Sequence, residues 1–344
     1  MTTTQTQTGN AALAVSFKLL LALYTIIPLC FLLQLMDVFV LDGIFLEFLP
    51  SRPSHFLLFQ VIFGTPHILA STILMTSNKE YFQFYQKKIL LMTLALMIFF
   101  AIASQLVSYW VLYVLVTSWT VYHVLKQQHG VGRAIYQLPS WAFYLLLWLS
   151  VAAGISVYLG IFLQESLTPQ YAEWVKQLAS ALVVSLFLST ILCQRYVKTR
   201  FGVFFIWANS FLVISSYYFY VQEYYFLAVL IPRLVHDATA YIFYVAHDVN
   251  KHKEQPQNFI YRWARKVRLN VFIVLPVLSL ALTYVLQVYG DQWFNAMTQF
   301  FFGMEIRKAI TLGLIGYFSL MHYYTEAFTW KHGSPYRKYI RFKP

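Results

Sequence analysis

Residues 224–250 read YYFLAVLIPRLVHDATAYIFYVAHDVN. From Tyr224 to His247 the stretch is long enough to cross the hydrocarbon layer of a bilayer, which takes about 20 residues as a helix. Yet it carries Arg233, His236 and Asp237 near its middle and a second His-Asp pair, His247 and Asp248, near its end. Ionisable groups inside a span are costly and face the bundle interior or a water-filled cavity. The segment therefore reads as an inner helix of a membrane bundle, and its polar residues as a site.

The sequence on either side supports that reading. Of 344 residues 59% are hydrophobic and 11% are charged, about half the charged share of a soluble domain. Comparable apolar stretches occur at 13–35, 55–76, 88–105, 108–126, 141–163, 175–194, 202–219, 269–288 and 309–328, which with 224–247 predict about ten transmembrane helices. The expected fold is an all-α, polytopic integral-membrane helical bundle forming a single domain over 1–344. With the N-terminus inside, 20 of the 25 Lys and Arg residues fall on cytoplasmic segments; Arg52, Lys176, Arg307 and Lys308 fall outside and Arg233 lies within a span. That bias sets orientation and predicts both termini in the cytoplasm, with the bacterial inner membrane as the location. The net charge of +12 is then a topology signal and an attraction to anionic membrane lipids, not a nucleic-acid footprint. The N-terminal MTTTQTQTGN, read as a short disordered segment over about 1–10, lacks a basic n-region, so the first apolar stretch is expected to remain as a span. A basic cytoplasmic loop is expected over about 248–268 and a cytoplasmic tail over about 329–344. Cys30 and Cys193 both fall in or beside apolar stretches, which argues against a disulfide framework or a thiolate metal cage.

Under this topology His67, His123, His129, His236, His247, His252, His322 and His332 all lie in the inner half of a span or at its cytoplasmic mouth, and only His55 lies outside. His67 sits about nine residues from the inner end of its span, roughly 13 Å deep. A neutral imidazole bonded to a carbonyl near Pro66 would account for it alone, and a bare ion pair would account for Arg233 and Asp237, which are four residues apart. Neither accounts for the return of the His-Asp pair. His236 and His247 are eleven residues apart, within about 20° of three full turns but about 16 Å apart along the axis, so one metal cannot take both. SWTVYHVLKQQHG places His123 and Gln127 one turn apart, with His129 following; MHYYTEAFTWKHG does the same for His322 and Glu326, with His332 following. A terminal histidine can simply cap carbonyls, but paired ligands one turn apart are also how a helix grips a metal. The candidate metal ligands are His67, His123, His129, His236, His247, His322, His332 and Asp248. Asp237, Glu326 and Tyr323 are the candidate catalytic groups, the carboxylates also serving to fix imidazole tautomers.

Many histidines with carboxylates near the cytoplasmic ends of several spans resemble, in residue type and placement, the membrane histidine-rich non-haem iron oxygenases, hydroxylases and desaturases. The clustered HxxxH and HxxHH boxes of those enzymes are absent. GTPH at 64–67 is similar to the GxPH element of the Brp and Blh carotene oxygenases, although Ala70 and apolar neighbours stand where that family continues with aspartate and histidine. The resemblance implies a metal-dependent oxidoreductase that uses molecular oxygen on a lipid, isoprenoid or hydrocarbon. It implies one or two non-haem irons, with zinc, manganese or haem as other cofactors of the same donors, and a ferredoxin or reductase as electron donor. No glycine-rich nucleotide loop is present. Two other classes place Arg, His and Asp near mid-membrane: a proton-coupled transporter, and a haem electron carrier using His67 with His236 or His322.

Overall fold

The computed structural model describes residues 12–51, 60–306, 308–331 and 333–343. His332 and the first ten residues lie outside the described residues. The rest is almost wholly helical: α1 Phe17–Phe39, α2 Ile44–Phe48, α3 Thr65–Ser77, α4 Lys79–Leu106, α5 Tyr109–Tyr136, α6 Ser140–Phe162, α7 Pro169–Cys193, α8 Arg200–Val221, α9 Tyr225–His252, α10 Phe259–Lys266, α11 Val271–Phe302 and α12 Ile315–Thr329. Seven of these, α1, α4, α6, α7, α8, α9 and α11, are long and apolar enough to cross a membrane. Large apolar side chains such as Leu32, Leu91, Leu188, Phe204 and Phe300 stand exposed on the outside, a surface suited to lipid and not to water. The chain has the make-up of a multi-pass membrane protein.

Local signals set the helix ends. Thr168 caps α7 by accepting from the Tyr171 N–H, with Pro169 in the first turn, and Thr199 caps α8 by accepting from the Gly202 N–H. Gly303, at φ +64°, closes α11 in the left-handed conformation that glycine adopts without strain. The loop expected over 248–268 is shorter than its sequence reading, because α9 runs on to His252 and α10 occupies Phe259–Lys266.

The central element is α9, which packs on α8, α11, α3, α5 and α1. Polar pairs tie the surrounding helices together. Tyr24 on α1 donates to Asn209 Oδ1 on α8 (2.5 Å) and lies 3.2 Å from Gln128 Oε1 on α5; Tyr241 on α9 meets Ser279 on α11 at 2.7 Å. Each such bond inside a bilayer contributes about 0.6–2 kcal/mol. Pro232, inside α9, deprives the Ala228 carbonyl of its helical donor, and the Ser216 hydroxyl of α8 donates to that carbonyl instead at 2.6 Å. The first and last described segments of the chain meet. Strand β1, Ala14–Ser16, runs parallel to β2, Arg341–Lys343, and Asn250 near the end of α9 bonds to the Leu13 N–H (2.7 Å) and to the Leu13 and Tyr339 carbonyls (2.9 and 2.8 Å). The expected tail is thus folded onto the same end of the bundle from which α1 departs.

Candidate metal centre

Four helices deliver four imidazoles to one point. His67 comes from the first turn of α3, His123 from α5, His236 from α9 and His322 from α12. α3 follows a π-helical turn, Gln60–Gly64, and α12 follows another, Ala309–Leu314, a local unwinding that recurs beside functional sites. The Gln287 amide of α11 donates to Thr65 Oγ1 at 2.9 Å and pins the start of α3.

The rings form a closed circuit. Centroid separations are 5.1 Å for His67–His236, 5.0 Å for His236–His123, 5.0 Å for His123–His322 and 4.9 Å for His322–His67, each pair edge to face. Two carboxylates flank it. Asp237 Oδ1 lies 3.2 Å from His67 Nδ1 and 3.9 Å from His236 Nε2, while its Oδ2 is 3.8 Å from Arg233 Nε. Glu326 Oε2 lies 3.4 Å from His123 Nε2 and 3.9 Å from His322 Nε2, and its Oε1 accepts from the Tyr244 hydroxyl at 2.5 Å. Tyr323 leans on His123, with ring centroids 4.5 Å apart, and receives a hydrogen bond from Thr120 at 3.3 Å.

All these groups are buried, His67 and His236 at 0% exposure. Nevertheless His123 Nε2, both ring nitrogens of His236 and of His322, both Asp237 oxygens and Glu326 Oε2 have no hydrogen-bond partner among the described residues. Buried polar atoms are normally satisfied, so a cluster of exceptions calls for an explanation such as an ion. The donor set offers one: His67, His236 and His322 present ligand atoms within 4.8 Å of one another, and so do His123, His322 and Glu326. An imidazole bound at about 2.1 Å has its centre about 3.2 Å from the metal. Four rings spaced as here have a common midpoint about 3.1 Å from each centre if folded to a tetrahedron and about 3.5 Å if flat, which brackets that value. Haem does not fit. Two axial imidazoles stand about 6.4 Å apart across a porphyrin, whereas neighbouring rings here are 4.9–5.1 Å apart and a macrocycle between any two would meet the others. Imidazole with carboxylate suits iron, zinc or manganese, and two histidines with one carboxylate are the ligand type of non-haem iron oxygenases.

Of the residues singled out by the sequence, the structure brings together His67, His123, His236, His322, Asp237, Glu326 and Tyr323. It places His129, His247 and Asp248 elsewhere, and His332 lies outside the described residues. His129, six residues beyond His123, is turned about 240° around α5, where its Nε2 meets Ser150 Oγ at 3.0 Å and its Nδ1 faces the Tyr136 hydroxyl at 3.4 Å. His247 lies in a separate network near the paired chain ends: Nε2 is 2.6 Å from the Tyr81 hydroxyl, Nδ1 is 2.8 Å from Asp248 Oδ1, and the ring stacks on Tyr336 at 4.5 Å. Asp248 in turn accepts from the Tyr261 hydroxyl, which burial and the adjacent carboxylate push up and keep protonated. With both ring nitrogens of His129 and His247 engaged, neither faces the four-histidine point.

A cleft of about 530 Å³ reaches the centre on the side of His123 and Glu326. Its α5 wall is Trp119, Tyr122, His123, Lys126, Gln127, Gly130, Val131 and Ala134, an unbroken three-four spacing that was legible as one helix face. The facing wall comes from α12 and from Arg337 and Phe342 of the folded tail, a contribution that no local spacing announces. Comparison with protein-family models, with curated proteins and with solved structures finds no match to this chain.

Proposed function

We propose that this chain is an integral-membrane, metal-dependent oxidoreductase of the oxygenase, hydroxylase or desaturase type, acting on a lipid, isoprenoid or hydrocarbon. It holds one non-haem iron between His67, His123, His236, His322 and Glu326. The observation that carries the reading is the ring of four buried imidazoles whose His236 and His322 nitrogens have no hydrogen-bond partner among the described residues. When bound, iron supplies the oxygen activation that side chains alone do not. The chain's own groups divide the remaining work. Asp237 neutralises Arg233 and fixes the orientation of His67, Tyr244 holds one Glu326 oxygen so that the other faces the histidines, and Tyr323 presents a polar edge to the cleft. Molecular oxygen is the oxidant, and a ferredoxin or reductase delivers electrons from the cytoplasmic side.

The membrane arrangement that goes with this function is about ten spans with both termini in the cytoplasm, in a bacterial inner membrane. The pairing of Ala14–Ser16 with Arg341–Lys343 supports this reading, because neighbouring first and last segments on one side of a bilayer go with an even number of crossings. Adding α3, α5 and α12 to the seven long apolar helices gives an even count, and the charge bias points the paired ends inward. Cys30 and Cys193 are buried, so a cysteine introduced at Lys18 or Lys343 can be labelled without background. Both positions are expected to react only from the cytoplasmic side, and reaction of the two from opposite sides would sink the topology.

The activity is tested by extracting lipids from cells that express the wild type or Glu326→Ala under iron and oxygen. Wild-type cells are expected to contain a product one oxygen heavier or two hydrogens lighter than a host lipid, absent with the variant. Indistinguishable lipid profiles would remove the oxygenase and desaturase assignments.

A further inference from the structure

The cleft has the shape and charge of a particular kind of substrate. From Trp119 to Ala134 its α5 wall is about 22 Å long at 1.5 Å per residue, and the cleft holds about 530 Å³. Trp119, Tyr122, Tyr323 and Trp330 make much of the lining aromatic, and two cations, Lys126 and Arg337, stand among them. The Lys126 ammonium sits 4.9 Å over the Tyr122 ring, one turn beyond His123 on the same face. The Arg337 guanidinium sits 4.8 Å over the Phe342 ring, anchored by its donation to the Ile340 carbonyl at 2.5 Å. Neither cation has a carboxylate within ion-pair distance among the described residues, whereas Lys251 and Lys338, close by on the same end of the bundle, both reach Glu80.

We infer that the cleft binds an amphiphile with an anionic head, drawn from the inner leaflet. Its carboxylate or phosphate rests between Lys126 and Arg337, and its chain runs past His123 and Glu326 toward Trp119. This substrate class rests on the metal-dependent reading for its chemistry but not for its binding. A headgroup held by Lys126 and Arg337 selects which part of the chain lies against the four-histidine point, so the cations act as positioning residues and take no part in the reaction. A neutral lipid of the same length lacks the partner that would hold it in register.

The test uses the full-length, metal-stripped protein in non-ionic detergent, with radiolabelled palmitate competed by hexadecyl phosphate and by hexadecanol. Both anions are expected to bind at least about tenfold more tightly than the alcohol, and the tighter of the two identifies the head as carboxylate or phosphate. Lys126→Gln, at an exposed position, and Lys126→Gln with Arg337→Gln are expected to erase that preference, while Lys126→Arg retains it. Equal binding of hexadecanol and palmitate, no saturable binding of any of the three, or an undiminished preference in the double variant would overturn the proposal. Because the protein is stripped, a preference for anions in a chain that takes up no iron would leave this inference standing and remove only the iron. Iron uptake without the preference would do the reverse.

Discussion

Replacing His322 by alanine is expected to lower bound metal to below about a tenth of the wild-type content, the largest loss of any single substitution in this chain. His322 is the one residue common to both groups of converging ligand atoms, His67–His236–His322 and His123–His322–Glu326. Its removal breaks both, and even partners that only orient a ligand are worth about 10–100-fold in affinity. His236→Ala is expected to follow closely. His129→Ala and His247→Ala are expected to keep full metal, because Ser150 and Tyr136 occupy the nitrogens of the first and Tyr81 and Asp248 those of the second. Metal analysis of the four purified variants decides it, and full metal in His322→Ala would dismantle the centre as described.

The second large effect is on stability. Asp237→Ala leaves the Arg233 guanidinium in the middle of α9, 6% exposed, with its counter-charge gone. Breaking one side of a buried pair costs about 3–5 kcal/mol because the remaining charge stays buried and uncompensated. Removing both charges, as Arg233→Met with Asp237→Leu, is expected to recover most of that loss. Denaturant unfolding in detergent measures both. A stability for Asp237→Ala within about 1 kcal/mol of wild type would show that the pair does not hold the helix as argued.

Much of this was open to reading along the chain, for identifiable reasons. Helical period alone put His322 with Glu326 and Arg233 with Asp237, and the eleven-residue step from His236 to His247 kept those two histidines apart, as the structure does. Depth was a weaker guide than direction. The charge-based topology groups His129 with the others, but six residues carry it around α5 to face α6, a rotation that counting membrane depth ignores. Among the described residues, the helices that supply His123 and His322 fall outside the set long and apolar enough to span a membrane, because polar residues lower the very signal by which spans are found. Which helices lie side by side is a tertiary fact, so neither the closed circuit of four imidazoles nor the use of Arg337 and Phe342 to wall the cleft follows from spacing. Both depend on long-range contacts, the first through α9 at the centre of the bundle and the second through the pairing of Ala14–Ser16 with Arg341–Lys343.

The most direct test of the central claim is metal per chain, with an absorption spectrum, on wild-type protein purified from cells grown with mixed trace metals. The account predicts about one iron per chain and no Soret band, since four rings about 5 Å apart leave room between them for one ion and not for a porphyrin. Protein that is colourless and free of metal, or that shows a Soret band, would contradict it.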